Sequence, residues 1–256
     1  MPAIDETPPA SAPPVAAGEA APALWHEPAP QHFDLALAWW IKLIVIVAAT
    51  LAALWWLDLP IARWALSTHP LPDLMNPAAK HNDIARELMF LEQWGQWVCS
   101  VVVIAAVAMI DPKGRRRALA IAIGCFVTVA VCYVLKDVCG RSRPYVHGDG
   151  MWVWGGPTMG FHQGGPWGSF PSAHTTGAFA LSVGLSWFYP RARGLFMGLA
   201  VITATQRVLH AAHYLSDVIA GMGIAVLLAR MTFRAKLAGR VIGWMPTGMR
   251  AWFLAE

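Results

Sequence analysis

From Leu35 onward the chain alternates between long apolar stretches and short polar ones, and six apolar stretches stand out. The first, Leu35–Leu57, is broken only by Lys42, whose stem is long enough to carry its charge to an interface. Leu88–Ile110 follows, weakened at its start by Glu92 and Gln93, and then Ala118–Leu135. The fourth, Ala173–Tyr189, ends at Pro190. Gly194–Leu209 and Asp217–Phe233 are shorter than the roughly 20 residues of a full bilayer span. Short spans with polar residues at one end suit a bundle that houses a polar site. The pattern predicts an all-α fold, a six-transmembrane helix bundle. Between the first two spans, Ile84, Leu88, Met89 and Leu91 have the spacing of an amphipathic helix lying at the interface.

The flanks read differently. Residues 1–34 hold eight Pro and five acidic residues with no Lys or Arg, which predicts a disordered tail. That tail lacks the basic start of a signal peptide and is expected to be retained. Residues 35–233 form the six-span domain, and 234–256 a basic, aromatic tail suited to a membrane surface.

Charge orients the bundle. The loop 111–117, the turn 190–194 and the residues from Arg230 onward carry eleven of the nineteen Lys and Arg. In a six-span chain these regions share one side, so the excess puts both termini in the cytoplasm. The loops 58–87, 136–172 and 207–216 then face outward.

Composition excludes several classes. Hydrophobic residues make up 57% and charged residues 13%, about half the charge of an average soluble domain. The net charge of +4 comes without a basic stripe interleaved with aromatics, so no nucleic-acid partner is expected. Cys99, Cys125, Cys132 and Cys139 are too few for a disulfide framework and lack the spacing of a thiolate metal site; they read as small buried hydrophobes.

Polar residues collect at the outer ends of the last four spans, where ionisable groups are costly and therefore point to a site. Lys136, Arg143 and Arg207 supply three fixed cations for a phosphate. Ser172 follows Pro171 and precedes an apolar run, the position of a helix N-cap whose free N–H groups favour an anion. His213 and Asp217 are four apart, so on a helix the carboxylate would hold one imidazole N–H and leave the other nitrogen free to attack. His174, from another helix, is available as proton donor.

These residues resemble the type 2 phosphatidic acid phosphatases. Lys136 through Arg143-Pro144 meets that family's Lys-x6-Arg-Pro pattern, and Pro171-Ser172-Ala173-His174 its Pro-Ser-Gly-His pattern. Gln206-Arg207, five residues, His213, three residues and Asp217 meet its Ser-Arg-x5-His-x3-Asp pattern. The resemblance implies an integral membrane hydrolase acting on a lipid phosphate or diphosphate monoester. His213 would form a phosphohistidine, Asp217 orient it and His174 act as general acid. Lys136, Arg143, Ser172, Ala173 and Arg207 would hold the phosphate, with no cofactor or metal required. Ala173 stands where the family has Gly, keeping the backbone N–H but adding a methyl that would crowd the phosphate; Gln206 stands where the family has Ser. The implied partners are a lipid phosphate and membrane lipid, and the implied setting is a bacterial inner membrane with the site facing the periplasm.

Other readings share these residues. A lipid phosphotransferase would use the same site with a non-water acceptor. A vanadate-dependent haloperoxidase fits the signature but not the hydrophobicity, and a scaffold or anion transporter would bind phosphate without turnover. His210, His213 and Asp217 also have the spacing of a metal face, against which the three nearby cations argue. Arg141 and Asp137 could pair or line the pocket mouth. His147 and His162 are loop histidines. The segment 147–169, with eight glycines and Trp152, Trp154 and Trp167, reads either as a membrane anchor or as a guide for a lipid headgroup.

Overall fold

A computed structural model describes residues 36–68, 90–147, 151–157, 165–234 and 236–254. The acidic tail, the interfacial helix expected around Ile84–Leu91 up to residue 89, and His162 lie outside them. The described residues are helical apart from loops and one isolated antiparallel bridge, Arg141 with Trp154.

The first apolar stretch forms α1 (Ala36–Ala52), a π-helical turn (Ala53–Leu57) and α2 (Asp58–Thr68). The helix therefore does not stop at Leu57. Residues 39–68 make one continuous 30-residue rod, about 45 Å long at 1.5 Å per residue. Its acidic Asp58 is tolerated because it is buried inside the protein.

The second stretch divides. A 3-10 turn (Glu92–Gly95) precedes α3 (Trp97–Ile110), because Gln96 is extended and breaks the helix. The third is longer than its apolar core: α4 (Gly114–Cys139) starts just before the arginine run, so that Arg115, Arg116 and Arg117 are helical, and ends at Gly140, whose φ of 54° closes the helix in the left-handed conformation. Then come α5 (Ala173–Phe188), α6 (Arg193–Leu209) and α7 (Leu215–Arg234), close to the predicted boundaries. The tail carries two short helices, α8 (Leu237–Trp244) and α9 (Thr247–Leu254).

Helix α5 is the hub, packed by α4, α6 and α7, and every residue from Thr175 to Leu185 is buried. Small residues let the backbones approach: Ala178, Ala180, Ala200, Ala204 and Ala225 share one cluster with Phe179 and Val218. The α1 helix packs on α7, and α3 on α4. The outward faces are apolar, with Ile44, Trp55, Val102, Met109 and Phe126 all exposed. That inverted surface is what a bilayer requires. Among the described residues, three helices, within 39–68, 114–139 and 215–233, are long and apolar enough to cross a membrane.

At the basic end, Asp111 binds the 111–117 turn together. It accepts from the Lys113 N–H, from Arg117 and from the Tyr189 hydroxyl. Arg115 and Arg116 reach the carbonyls of Trp252 and Phe253, so the end of α9 is tied to the start of α4.

Candidate active site

The site forms where three loops meet the helix ends. After Gly140 the chain pairs briefly with the Gly/Trp-rich segment: Ser142 N–H donates to Val153 and Gly155 N–H to Gly140. Ser169 N–H donates to the Arg141 carbonyl, and Arg143 N–H to that of Pro166. The 165–172 strand of loop is thereby fixed beside 140–143.

Helix α5 begins at Ser172, whose Oγ accepts from the Thr175 N–H and hydroxyl, as an N-cap should. Ala173 and His174 are the first two helical residues. Ser172 N–H donates to the Asp217 carbonyl, which joins the start of α5 to the first turn of α7. A Cβ on Gly221 would stand 2.8 Å from the Ser172 carbonyl oxygen, so this junction depends on glycine.

His213 is placed differently from the sequence expectation. It lies in the loop before α7, not on the helix, and its Nδ1 sits 2.8 Å from the Ser169 carbonyl oxygen. Asp217 is 3.6 Å away. A carbonyl only accepts, so Nδ1 carries the proton and Nε2 keeps the lone pair. Burial above all, then the nearby Arg143 and Lys136 cations, hold the His213 pKa well below the usual histidine range, against the opposing pull of Asp217.

Asp217 instead starts its own helix. Its Oδ2 accepts the N–H of Tyr214, the residue that caps α7, and the hydroxyl of Ser169, while Oδ1 accepts from Arg141. The first of these is the reciprocal half of a capping box. Arg141 is wholly buried, 2.5 Å from Asp217, 2.8 Å from Asp58 and 2.8 Å from Ser216 Oγ. Its guanidinium lies 4.0 Å from the Tyr214 ring centroid, with Trp152 and Trp154 at 5.1 and 5.2 Å. Burial pulls its pKa down, but Asp217 and Asp58 outweigh burial and raise it.

The other cations converge on the same loops. Lys136, buried near the end of α4, donates to the Gly168 carbonyl, next to the carbonyl that holds His213. Arg143 spans from Gly165 to Ala212, 3.3 Å to each carbonyl. Arg207 is held fork to fork by Glu92, at 2.8 Å on both arms, while its Nε is buried with no hydrogen-bond partner among the described residues. His210 Nδ1 faces the same carboxylate at 3.6 Å. His174 Nε2 meets the Gln96 amide at 2.8 Å. His210 and His213 thus face different partners, and no group of three His, Cys, Asp or Glu among the described residues is arranged to hold a metal.

Four participants carry no signal in the three sequence patterns. Ser169 acts through its backbone carbonyl as well as its hydroxyl, and Gln96 and Glu92 come from the turn before α3. Asp58 comes from the first helix. Its only sequence signal is an acid set against the apolar run Trp55-Trp56-Leu57.

The sequence profile of the PAP2 superfamily matches residues 117–245. The chain belongs to the PAP2 superfamily. Within it, this PAP2 chain is similar to a lipid A 1-phosphatase of Rhizobium etli, 31% identical over 142 residues, which cover 49% of the chain and 60% of that relative. It is also similar to a lipid A 1-phosphatase of Rhizobium johnstonii, 35% identical over 100 residues, 39% of each protein. The matched part thus spans less than two thirds of the length of these relatives. The crystal structure of a transmembrane PAP2 type phosphatidylglycerolphosphate phosphatase from Bacillus subtilis superposes with a TM-score of 0.51 at 16% identity, covering 78% of this chain and 94% of that one. The fold is that of a transmembrane PAP2 protein, and the chain is an integral membrane protein.

Proposed function

We propose that this PAP2 chain is a membrane phosphatase that hydrolyses a lipid phosphate or diphosphate monoester through a phosphohistidine, without a metal ion. The observation that carries the reading is His213 itself: Nδ1 donates to Ser169, so Nε2 is the nucleophilic nitrogen. In the first step the Nε2 lone pair forms an N–P bond as the P–O bond to the lipid breaks. His174 gives its proton to the departing lipid oxygen. In the second step water attacks phosphorus, His174 takes a proton from it, and the N–P bond breaks to release phosphate.

Lys136, Arg143, Arg207 and the start of α5 at Ser172 and Ala173 would hold the phosphoryl oxygens, with the positive end of the helix dipole adding to the cations. Asp217 would stabilise the histidine from 3.6 Å, with the Ser169 carbonyl fixing its ring. The Ser172 hydroxyl accepts from Thr175, so its own O–H, with the backbone N–H groups of the helix end, would donate to the phosphate. Six spans, both termini in the cytoplasm and a periplasmic site complete the reading, on the strength of the basic loops. The names of the Rhizobium relatives make the 1-phosphate of lipid A the first substrate to try.

The test is release of inorganic phosphate by purified protein from lipid A, phosphatidic acid, phosphatidylglycerol phosphate and an isoprenyl diphosphate, with and without EDTA. Turnover that survives EDTA and an acid-labile phosphoenzyme are expected. Strong inhibition by the chelator, or full turnover by His213→Ala, would overturn the mechanism. Transfer of the phosphoryl group to a lipid alcohol in place of water would identify a phosphotransferase.

A further inference from the structure

Asp58, Arg141 and Asp217 form a buried chain of alternating charge. Each side chain is fully buried, with Arg141 NH2 2.8 Å from Asp58 Oδ2 and NH1 2.5 Å from Asp217 Oδ1. Asp58 also accepts from the Ser216 N–H at 2.8 Å and from the Ser216 hydroxyl. Three donors on one carboxylate, one of them a guanidinium, work against the cost of burying its charge. With all three groups ionised the formal sum is one negative charge, buried where water cannot screen it.

That sum matters for His213. If Arg141 met Asp217 alone, the pair would be neutral and Asp217 would do little for a cation beside it. Phosphorylation at Nε2, while Nδ1 keeps its proton, leaves the imidazole ring positively charged. Lys136 and Arg143 oppose that charge except where the phosphoryl oxygens they hold offset them. On the Nδ1 side of the ring the carboxylate at hand is Asp217, 3.6 Å away, so the support from that side comes from the Asp58–Arg141–Asp217 group. Asp58 lies outside the matched residues 117–245, on a helix where a π turn, Ala53–Leu57, immediately precedes it.

We propose that Asp58 is a positioning residue for the reaction: by offsetting Arg141 it restores the net negative charge that lets Asp217 stabilise the phosphorylated His213. The inference rests on the phosphohistidine reading above, and charge balance separates it from a merely structural role. Asp58→Asn leaves the group neutral and should lower kcat on the order of ten- to a hundredfold with KM changed by less than about threefold. The charged groups facing His213 are Asp217, Lys136 and Arg143, with Arg141 and Asp58 behind Asp217. Loss of the Asp58 charge should therefore move the acid limb of the pH–rate profile to lower pH. The double variant Asp58→Asn/Arg141→Gln again leaves one negative charge, on Asp217, and should recover most of the lost kcat and return the acid limb toward its wild-type position.

These variants are measured in detergent beside His213→Ala, with thermal unfolding to verify the fold. A wild-type kcat in folded Asp58→Asn overturns the proposal, as does a folded double variant slower than the single one. If Asp58→Asn does not fold, the double variant decides: kcat within about tenfold of wild type supports the proposal, and a folded, inactive protein overturns it. Turnover by His213→Ala would instead overturn the phosphohistidine reading on which it rests.

Discussion

The imidazole of His213 is anchored to the backbone of Ser169, Nδ1 to carbonyl oxygen at 2.8 Å, rather than to the carboxylate of Asp217, which stands 3.6 Å away. The two contacts divide the work of an orienting acid: the carbonyl fixes the tautomer and ring plane, and the carboxylate supplies charge. Ser169→Ala keeps the carbonyl and removes only the hydroxyl bond to Asp217. It should cost about tenfold in kcat, whereas His213→Ala should cost at least about 10⁴-fold. Steady-state phosphate release by the two variants measures the difference.

The depressed proton affinity of His213 sets a pH dependence. In the unfolded chain this histidine titrates near its ordinary value of about 6.5; in the folded protein it stays neutral to well below that. Below about pH 6.5 the unfolded state binds a proton the native state refuses, so the histidine's contribution to stability is present above that pH and lost as pH falls. Thermal unfolding in detergent should show wild type losing more stability between pH 7.5 and 5 than His213→Gln does. The nucleophile itself should remain active into that acid range.

Glu92 and Arg207 make a partly buried, bidentate pair. Glu92→Gln leaves the guanidinium with a weaker partner and should destabilise the protein by about 1–3 kcal/mol, after allowing for solvent at the pair. Pairing it with Arg207→Gln should recover part of that loss. A double-mutant cycle on unfolding midpoints gives the coupling.

Gly95 permits the turn before α3 to rest on α5. A Cβ there would stand 2.5 Å from the His174 carbonyl oxygen and 2.9 Å from Thr203 Cγ2. Gly95→Ala should therefore push the turn away, moving Gln96 off His174 and Glu92 off Arg207. The expected result is about 1–3 kcal/mol of lost stability together with reduced kcat, read by unfolding and phosphate release.

The helices were legible wherever apolarity alone decided them. The limits of α5, α6 and α7 fall within two residues of the apolar stretches, because Pro190 and the Ser172 cap stop a helix by local means. The start of α4 was not, since Arg115, Arg116 and Arg117 look like loop until Asp111 and α9 supply their partners. For the site, short patterns locate Lys136, Arg143, His174, Arg207, His213 and Asp217 near one another. They do not disclose Asp58, 158 residues from Ser216, or Glu92, 115 residues from Arg207, because only the packed fold brings those pairs together. They also mislead about His213 and Asp217: helical spacing suggests a shared face, but the helix begins after His213.

The π turn in the first helix gives that rod a measured length. It holds one residue more than an α-helical turn needs, and each residue of an α-helix advances the next side chain by about 100°. The wider π turn absorbs that extra residue in about the same rotation, so deleting one residue between Ala53 and Leu57 would let the helix run regularly with Asp58 still in phase with the Trp39–Ala52 face. The same deletion elsewhere in the rod would turn Asp58 away from its present neighbours. The first helix is thus a ruler as well as an anchor.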